Sequence, residues 1–300
     1  MFTQVYPSTR AVRLRNALLA RRAALADFDW KPDSAPGIFH QETRPPTTVF
    51  ADAVARLDLE ACTSEWHRAL RVAEHLTQYA RDLGPIQADL KKTYARIRDG
   101  YGYCADFVKV FLGLAHAAGL SSRQWDFSQN GFGGRGHAIV EVFDRDRGKW
   151  LFLDVYNNFH VLDARTMEPW GALEFRNALQ HGKPAFVLAP NGAGRAGYPM
   201  EEKLLAYYRS GLQEWYMVCG NAVFSYDAHP LVHWASRYSG GFGKIVATVV
   251  GVHPSIEILR TRENEERVRR LTALAERFRM VLAIFGLLVL LLVVQLGMLE

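Results

Sequence analysis

The stretch that decides the fold is GYGYCADFVKVFLGLAHAAGL, residues 100–120, in which a cysteine stands where a helix should begin. Apolar residues recur after it at steps of three and four, the spacing of one helical face, and Gly119 ends the pattern as a C-terminal cap would. Gly100 and Gly102 interrupt the chain just before Cys104. The thiol should therefore lie at a helix N-terminus, where free N–H groups and the helix dipole favour an anion.

Two β-rich runs follow, HAIVEVF at 137–143 and WLFLDV at 150–155, and the polar residues 144–148 between them are turn-like. This pattern predicts an antiparallel hairpin. A two-residue turn at Arg145 and Asp146 would set His137 directly opposite Asp154. Directly paired residues have Cβ atoms about 5 Å apart, so the carboxylate could hold the imidazole, and a slip of one residue would separate them.

Cys104, His137 and Asp154 are the residue types that nucleophilic thiol catalysis requires. The thiolate is the nucleophile, a base must accept its proton, and a third group must orient that base. Taken one at a time, each of these residues more commonly has a structural role. The cysteine would be buried and inert, the histidine would be a hydrogen-bonded strand residue, and the aspartate would lie in a turn. The joint spacing of the three residues favours a catalytic triad.

These residues carry a family resemblance. The order Cys, His, Asp, with GYGYCADF opening a helix, Arg123 shortly after Gly119, and then GHAIVEVF and KWLFLD, resembles the transglutaminase-like superfamily, a papain-like group of thiol enzymes. The resemblance covers roughly residues 60–165 and implies that Cys104 is the nucleophile, His137 the general base and Asp154 its orienting group, acting on an amide. Ile139 stands where the family commonly has an aromatic residue.

The predicted fold class is α+β, with a papain-like or transglutaminase-like core. A helical part with the active cysteine at a helix N-terminus should pack on an antiparallel sheet that carries the histidine and the aspartate. The predicted divisions are an N-terminal helical and linker extension (1–59), the catalytic core (60–190), a mixed helix and strand extension (191–259), a basic juxtamembrane stalk (260–279) and a transmembrane helix (280–299).

The segments on either side of residues 100–163 show patterns that predict secondary structure only. Predicted helices are an amphipathic N-terminal helix packed on the body, two helices between residues 50 and 98, and one helix with an aromatic band over 201–224. Residues 186–189 should form a strand, and residues 245–252 a buried strand or short helix.

The composition of the chain and the spacing of its cysteines, histidines and glycines argue against several functional classes. The chain has 300 residues and a net charge of +5, but no basic block with interleaved aromatics, so no nucleic-acid partner is expected. Three distant cysteines imply no disulfide framework. His229 and His233 lack the rest of a zinc motif, so no metal is expected. Residues 131–136 fit G-x-G-x-x-G, but a strand follows them, so a mobile glycine loop is favoured over a dinucleotide site and no cofactor is expected.

Residues 280–299 are apolar apart from Gln295 and long enough, at about 1.5 Å per residue, to cross a bilayer of roughly 30 Å. A buried core helix is the alternative. Arginines crowd the preceding twenty residues, which favours a single-pass C-terminal anchor with the bulk of the chain in the cytoplasm. The lipid bilayer is therefore an expected partner through residues 280–299.

Together these features predict a membrane-anchored thiol enzyme acting on a protein or peptide amide through a cysteinyl thioester, with hydrolysis favoured over transamidation. The first alternative is a catalytically silent scaffold or binding protein in a membrane assembly, because a domain resemblance does not establish turnover. The second is a regulator whose basic stalk binds anionic lipid.

Overall fold

The computed structural model describes residues 8–81, 83–86, 88–134, 136–238 and 240–297, and it confirms a mixed fold of helices and antiparallel strands. The first seven residues, Arg135 of the glycine loop and the last three residues, including 298 and 299 of the predicted membrane span, lie outside the described residues. The predicted domain boundaries stay predictions.

The centre of the structure is a sheet of six strands in the order β1-β8-β7-β2-β3-β4, accompanied by a two-stranded sheet of β5 and β6. In the large sheet β1 and β8 pair in parallel, and the other neighbours pair antiparallel. The strands are β1 Ala20–Ala23, β2 Ser122–Phe127, β3 His137–Asp144, β4 Lys149–Leu153, β5 Phe159–Asp163, β6 Phe186–Pro190, β7 Trp215–Val218 and β8 Ile256–Leu259.

Helices cover both faces of the large sheet. On one face, α2 to α5 share a hydrophobic cluster with Val140 and Val142 of β3, while α6 and α7 pack with Ile139 on the other. The helices are α1 Thr9–Leu19, α2 Thr48–Ala55, α3 Glu65–Thr77, α4 Leu90–Arg98, α5 Cys104–Ala117, α6 Ala172–His181, α7 Glu201–Ser210, α8 Val223–Ala228, α9 Pro230–Ser236, α10 Gly240–Val249 and α11 Glu265–Gly297. β3 is thus buried on both sides, which explains why all its residues are buried.

The predicted helix start at Cys104 is confirmed, because α5 begins at this residue. Asp106 caps the helix by accepting the backbone N–H of Tyr103 at 2.9 Å. Gly102 has φ +118°, and a Cβ atom there would come within 3.0 Å of the Phe107 ring, so the approach to the helix requires glycine. Gly119, with φ +70°, follows the end of the helix as expected.

The predicted hairpin is confirmed, but its register was wrong by two residues. β3 and β4 pair Asp144 with Lys149, so four residues and not two form the turn, and β4 ends before Asp154. His137 therefore does not lie directly opposite Asp154. A shift of two residues keeps every side chain on its original face, and so the pair can still meet.

Two of the flanking predictions also need correction. Residues 201–224 are not one helix, because α7 ends at Ser210 and β7 enters the central sheet before α8 begins. The aromatic band held both a helix and a strand, which periodicity alone does not separate. Residues 245–252 contain the end of helix α10, as the short-helix alternative predicted, but apart from Ala247 they are not buried, since Ile245 is 63% and Val249 80% exposed.

Helix α11 runs without a break from Glu265 to Gly297, from within the predicted stalk into the described part of the predicted span. Its first part is not a free stalk, because Val268, Leu271 and Ala275 are buried in a hydrophobic cluster with Ile256 and Ile258 of β8. Its side chains from residue 279 to residue 295 are exposed. Among the described residues, this is the one helix that is long and apolar enough to cross a membrane, judged by length and composition.

A buried ion pair joins the strands behind the candidate site. Arg123 on β2 donates to Glu141 on β3 at 2.7 Å, and both side chains are at most 3% exposed. Glu141 also accepts the indole N–H of Trp125 at 2.7 Å and the backbone N–H of Ala172, the first residue of α6, at 2.6 Å. Arg123 further donates to the backbone oxygen of Phe28 at 2.8 Å. One carboxylate thus fixes two strands and a helix together.

We expect Glu141→Gln to destabilise the fold by about 3–5 kcal/mol, because it keeps the shape but leaves the guanidinium of Arg123 buried without its counter-charge. Chemical denaturation of the full chain measures the change. Arg71→Gln is the matched control, since it removes an ion pair with Glu74 whose partners are 53% and 39% exposed. Such exposed pairs contribute about 0–1 kcal/mol. Equal losses in the two variants would contradict the assigned role of Glu141.

Candidate active site

The structure brings the three predicted residues together where β3 begins. His137 is the first residue of β3, Asp154 follows the last residue of β4, and Cys104 is the first residue of α5. The imidazole Nε2 lies 2.6 Å from a carboxylate oxygen of Asp154, and both side chains are at most 3% exposed. Cys104 is partly exposed. The catalytic roles of the three remain predictions.

Cys104 interacts with His137 through charge and a side-chain hydrogen bond. Because Nε2 faces Asp154, Nδ1 is the ring nitrogen left for the thiol. This is the order that a thiol, a base and an orienting group require.

The carboxylate of Asp154 is fully enclosed and is held by several donors. It accepts hydrogen bonds from the backbone N–H of Asn157 at 2.9 Å, the Asn157 amide at 2.7 Å and the Tyr208 hydroxyl at 2.6 Å, besides its contact with His137. Asn157 is itself oriented, because its side-chain oxygen accepts the backbone N–H of Tyr198 at 2.9 Å. A buried carboxylate without such partners would be strongly disfavoured.

The pKa values in this cluster favour a charged pair. Burial lowers the pKa of His137, but the negative charges of Asp154 and Cys104, with the hydrogen bonds to both, outweigh burial and raise it to about 10. Burial raises the pKa of Asp154, but the charge of His137 and the surrounding hydrogen bonds prevail and lower it. Burial, then the charge of Asp154, raises the pKa of Tyr208 well above its usual value, so Tyr208 stays a donor. The raised pKa of His137 favours its imidazolium form at neutral pH.

Aromatic rings enclose the imidazole. The ring centroids of Phe127, Tyr207 and Tyr208 lie 5.7, 6.0 and 5.6 Å from that of His137, and Tyr156 lies at 6.1 Å. These rings keep water from the Asp154 side of the histidine and strengthen the electrostatic interaction inside. The rings thus enclose the imidazole of His137, which interacts with Cys104.

A second titratable pair lies on the neighbouring strands. Asp126 of β2 and Tyr216 of β7 are register partners and share a side-chain hydrogen bond. Burial raises the pKa of Asp126 to about 6, against smaller opposing effects of which the hydrogen bond from Gln124 is the largest. Tyr216 is close enough to Cys104 for the charge of the thiolate to raise its pKa, although burial and Asp126 have larger effects. This pair forms part of the surroundings of the thiol.

The glycine loop before β3 was expected to be mobile, and the structure shows what holds its described residues. The buried carboxylate of Glu214 accepts the backbone N–H groups of Gly131 at 2.8 Å and Phe132 at 2.6 Å. Asn16 of α1 donates to the backbone oxygen of Phe132 at 2.7 Å, and Arg267 of α11 pairs with Glu214 at 2.9 Å. The N-terminal helix therefore contacts the loop that leads into His137 directly, and the C-terminal helix is connected to it through Glu214.

Sequence reasoning missed Asn157, Tyr208 and Asp126. Asn157 had a local signal, because an aspartate followed by a turn often accepts a backbone N–H two or three residues later. Tyr208 had none, since it reaches Asp154 from a helix 54 residues further along the chain. Asp126 was missed together with strand β2. Among the described residues, no group of three or more His, Cys, Asp or Glu side chains is arranged to hold a metal ion.

Comparison with known proteins identifies the region around this site. Residues 54–155 match the model of the transglutaminase-like superfamily, and the chain therefore contains a transglutaminase-like domain, as its motifs predicted. This match covers about a third of the chain and includes Cys104, His137 and Asp154. No curated protein matches the sequence.

Two solved structures resemble part of the chain. A candidate cysteine protease from Cytophaga hutchinsonii is 16% identical, with a TM-score of 0.29, over 42% of this chain and 43% of that one. A candidate protease from Parabacteroides distasonis is 14% identical, with a TM-score of 0.28, over 49% of this chain and 26% of that one. The chain thus spans less than half the length of either protein.

We expect the imidazolium of His137 to persist at pH 8 in the native chain and to be lost there in Asp154→Asn, because the neutral amide no longer stabilises the charge. The ¹⁵N chemical shifts of the histidine ring measure this. Asp163→Asn, which neutralises a partly exposed carboxylate at the end of β5, is the control and should leave His137 charged. A neutral His137 at pH 7 in the native chain would contradict the pairing.

The same pair predicts a pH dependence of stability. The folded-state pKa of His137 is raised to about 10 from the usual 6.5, so its contribution is complete below pH 6.5 and is lost as the pH rises through 10. The free energy of unfolding should therefore fall between pH 7 and pH 10 more steeply in the native chain than in His137→Gln. Parallel curves would contradict the prediction.

Proposed function

We propose that this chain is a membrane-anchored thiol enzyme that acts on amide bonds of a protein or peptide through a cysteinyl thioester. The single observation that carries the proposal is the convergence of Cys104, at the start of α5, with a buried His137 and Asp154 pair whose atoms lie 2.6 Å apart. The transglutaminase-like domain over residues 54–155 supports the same chemistry.

The reaction begins from a thiolate and an imidazolium. The sulfur of Cys104 attacks the carbonyl carbon of the amide, a C–S bond forms, and the carbonyl oxygen becomes an oxyanion. When the tetrahedral intermediate collapses, the C–N bond breaks and His137 gives its proton to the leaving nitrogen. The products of this half-reaction are an amine, a thioester on Cys104 and a neutral imidazole. Asp154 holds the ring in place throughout and stabilises its charged form.

The oxyanion needs donors that are already in place. The first N–H groups of a helix have no acceptor within the helix, so the backbone N–H of Cys104 is the natural first donor. Such a donor contributes about 2.7–4 kcal/mol to the transition state in enzymes where one has been removed. Asp106 fixes this helix end through Tyr103 and also accepts the backbone N–H of Ile86 at 3.1 Å.

Hydrolysis is favoured over transfer to an amine. Cys104 is partly exposed, so water can reach the thioester, and the neutral His137 left by the first half-reaction can take a proton from that water. The hydroxide equivalent adds to the thioester carbon, the C–S bond breaks, and the thiolate and imidazolium are restored. Transamidation would need an amine bound beside Cys104 and a cleft that excludes water.

Helix α11 is proposed as the membrane anchor. Its exposed apolar part follows a segment rich in arginine, and arginine close to a membrane span favours the cytoplasmic side. The body is accordingly placed in the cytoplasm, where a thiol stays reduced. A catalytically silent scaffold with the same anchor is the alternative function.

Thiol alkylation separates the enzyme from the scaffold. In the full chain at pH 6, we expect iodoacetamide to modify Cys104 at least about tenfold faster than Cys62, since the proposed mechanism requires an activated nucleophile beside His137. Cys62 is also partly exposed and serves as the internal control. In His137→Ala the excess rate should vanish. Equal rates for the two cysteines in the native chain, measured by peptide mass spectrometry, would favour the scaffold.

Charge placed in the middle of α11 tests the anchor. Leu287→Arg with Leu291→Arg should release the chain into the alkaline-carbonate supernatant, because each arginine at the centre of a membrane helix costs about 2.5–3.5 kcal/mol of insertion. Met280→Arg, at the end of the predicted span, is the control and should stay in the pellet, since a long side chain there reaches the interface. A native chain found in the supernatant would refute the anchor.

A further inference from the structure

The helices α9 and α10 present large apolar side chains to solvent. The two helices pack against each other through Val232, Ala235 and Ala247, which are at most 2% exposed. On the outside, the apolar patch consists of Leu231, Trp234, Tyr238, Ile245 and Val249, with exposed fractions of 53%, 49%, 72%, 63% and 80%. Grouped apolar exposure of this kind marks an interaction surface.

The composition of this segment suits a lipid surface. Between Asp227 and Glu257 the sequence contains Arg237 and Lys244 but no aspartate or glutamate. The rings of Trp234 and Tyr238 lie 5.3 Å apart. Aromatic side chains of these two types concentrate at membrane interfaces, and basic residues are attracted to anionic headgroups. The absence of acidic residues removes charges that anionic headgroups would repel.

The topology joins the segment that carries the apolar patch to the end of the sheet towards which α11 runs. β7 and β8 pair antiparallel with Val218 beside Ile256, so the intervening residues 219–255, which include α9 and α10, leave and return at that end of the two strands. Helix α11 begins beyond the other end of β8, near Leu259, where Asn264 donates to the Leu259 carbonyl at 2.8 Å.

From there α11 packs back across the sheet. Its buried residues Val268, Leu271 and Ala275 share a cluster with Ile258 and Ile256. The eleven residues from 265 to 275 span about 16 Å, and the four residues of β8 span about 13 Å. The helix therefore reaches the end of the strands from which α9 and α10 project just before its exposed apolar part begins.

We propose that the apolar patch of α9 and α10 docks into the headgroup region of the bilayer that holds α11, an inference that rests on the proposed membrane anchor. The segment would lie in the plane of the interface, with Trp234 and Tyr238 at the level of the headgroups and the exposed Arg237 next to lipid phosphates. The chain then contacts the membrane at two places.

Docking would also position the candidate active site. Asp227, near the end of α8 and three residues before α9, pairs with Lys109 of α5 at 3.0 Å and accepts the backbone N–H of Leu90 at the start of α4. Lys109 lies little more than one turn after Cys104. Docking would thus orient the helix that carries the thiol through the ion pair of Asp227 with Lys109. His137 lies at the end of the sheet opposite to the one from which α9 and α10 project, since Phe127 pairs with both His137 and Trp215.

Fluorescence quenching by brominated lipid tests the docking. The other six tryptophans, Trp30, Trp66, Trp125, Trp150, Trp170 and Trp215, are at most 8% exposed, so Trp234 is the one that lipid can reach. The full chain is reconstituted in phosphatidylcholine and phosphatidylglycerol vesicles whose acyl chains are plain or brominated near the headgroup. We expect the brominated vesicles to remove roughly one seventh of the emission, the share of one tryptophan among seven, and to remove none in Trp234→Phe.

A tryptophan at the opposite end of the sheet is the matched control. Leu25 is 61% exposed and follows Ala23, which pairs with Leu259 at the far end of β8. In Leu25→Trp with Trp234→Phe, the new tryptophan should not be quenched. Equal quenching of the two positions, or none at Trp234 in vesicles that carry the chain through flotation, overturns the docking and leaves the anchor intact. A chain that does not float with the vesicles refutes the anchor itself.

Self-association is the competing use of the same surface. If the apolar patch joined two copies of the chain, sedimentation of the full chain in detergent would show a dimer that Trp234→Ser converts to a monomer, and Trp234 would be shielded from bromine. That result overturns lipid docking. A native chain and a Trp234→Ser variant with the same sedimentation, together with quenching of Trp234, support it.

Discussion

The charge of Asp154 is buried away from water, and the arrangement of the candidate site depends on keeping it there. Removal from water destabilises the ionised carboxylate, so the lone pairs of its oxygens need hydrogen-bond donors. Those donors come from separate parts of the chain: His137 from the start of β3, Asn157 from the turn after β4 and Tyr208 from α7. Loss of any of these elements would leave the charge unsatisfied, and so the electrostatics of one side chain require the assembly of three elements.

Much of the fold around Cys104 was predictable from local rules. Helical periodicity, the glycines before the thiol and the alternation in β3 each have a mechanism that acts within a few residues, and α5, β3 and β4 were found where these rules placed them. The hairpin register was not predictable in the same way, because residues 145–148 are compatible with a short or a long turn. His137 and Asp154 still lie on the same face of the sheet, because the predicted register differs from the observed one by two residues, an even number.

The features of the fold and the site that were not predicted depend on contacts between residues far apart in sequence. Strands β1 and β8 are four residues long and pair across more than two hundred residues, so no local pattern identifies them as neighbours. The role of Glu214 is of the same kind, since its partners come from the glycine loop and from α11. Tyr208 looked like an ordinary core aromatic, and only its hydroxyl contact with Asp154 distinguishes it. The hydrophobic pattern of a sequence predicts which residues are buried, but it does not predict which of the buried residues contact each other.

Helix α11 has no break between the part that packs on β8 and the part that is exposed and apolar. A helix without proline or an interrupting loop resists bending. Under the proposed anchoring, the catalytic body would therefore be held at a fixed height and tilt, and could not swing on a tether. Selection of substrates would then depend on distance from the bilayer as well as on sequence, so that a scissile bond lying too far above the lipid would escape cleavage even with ideal side chains around it.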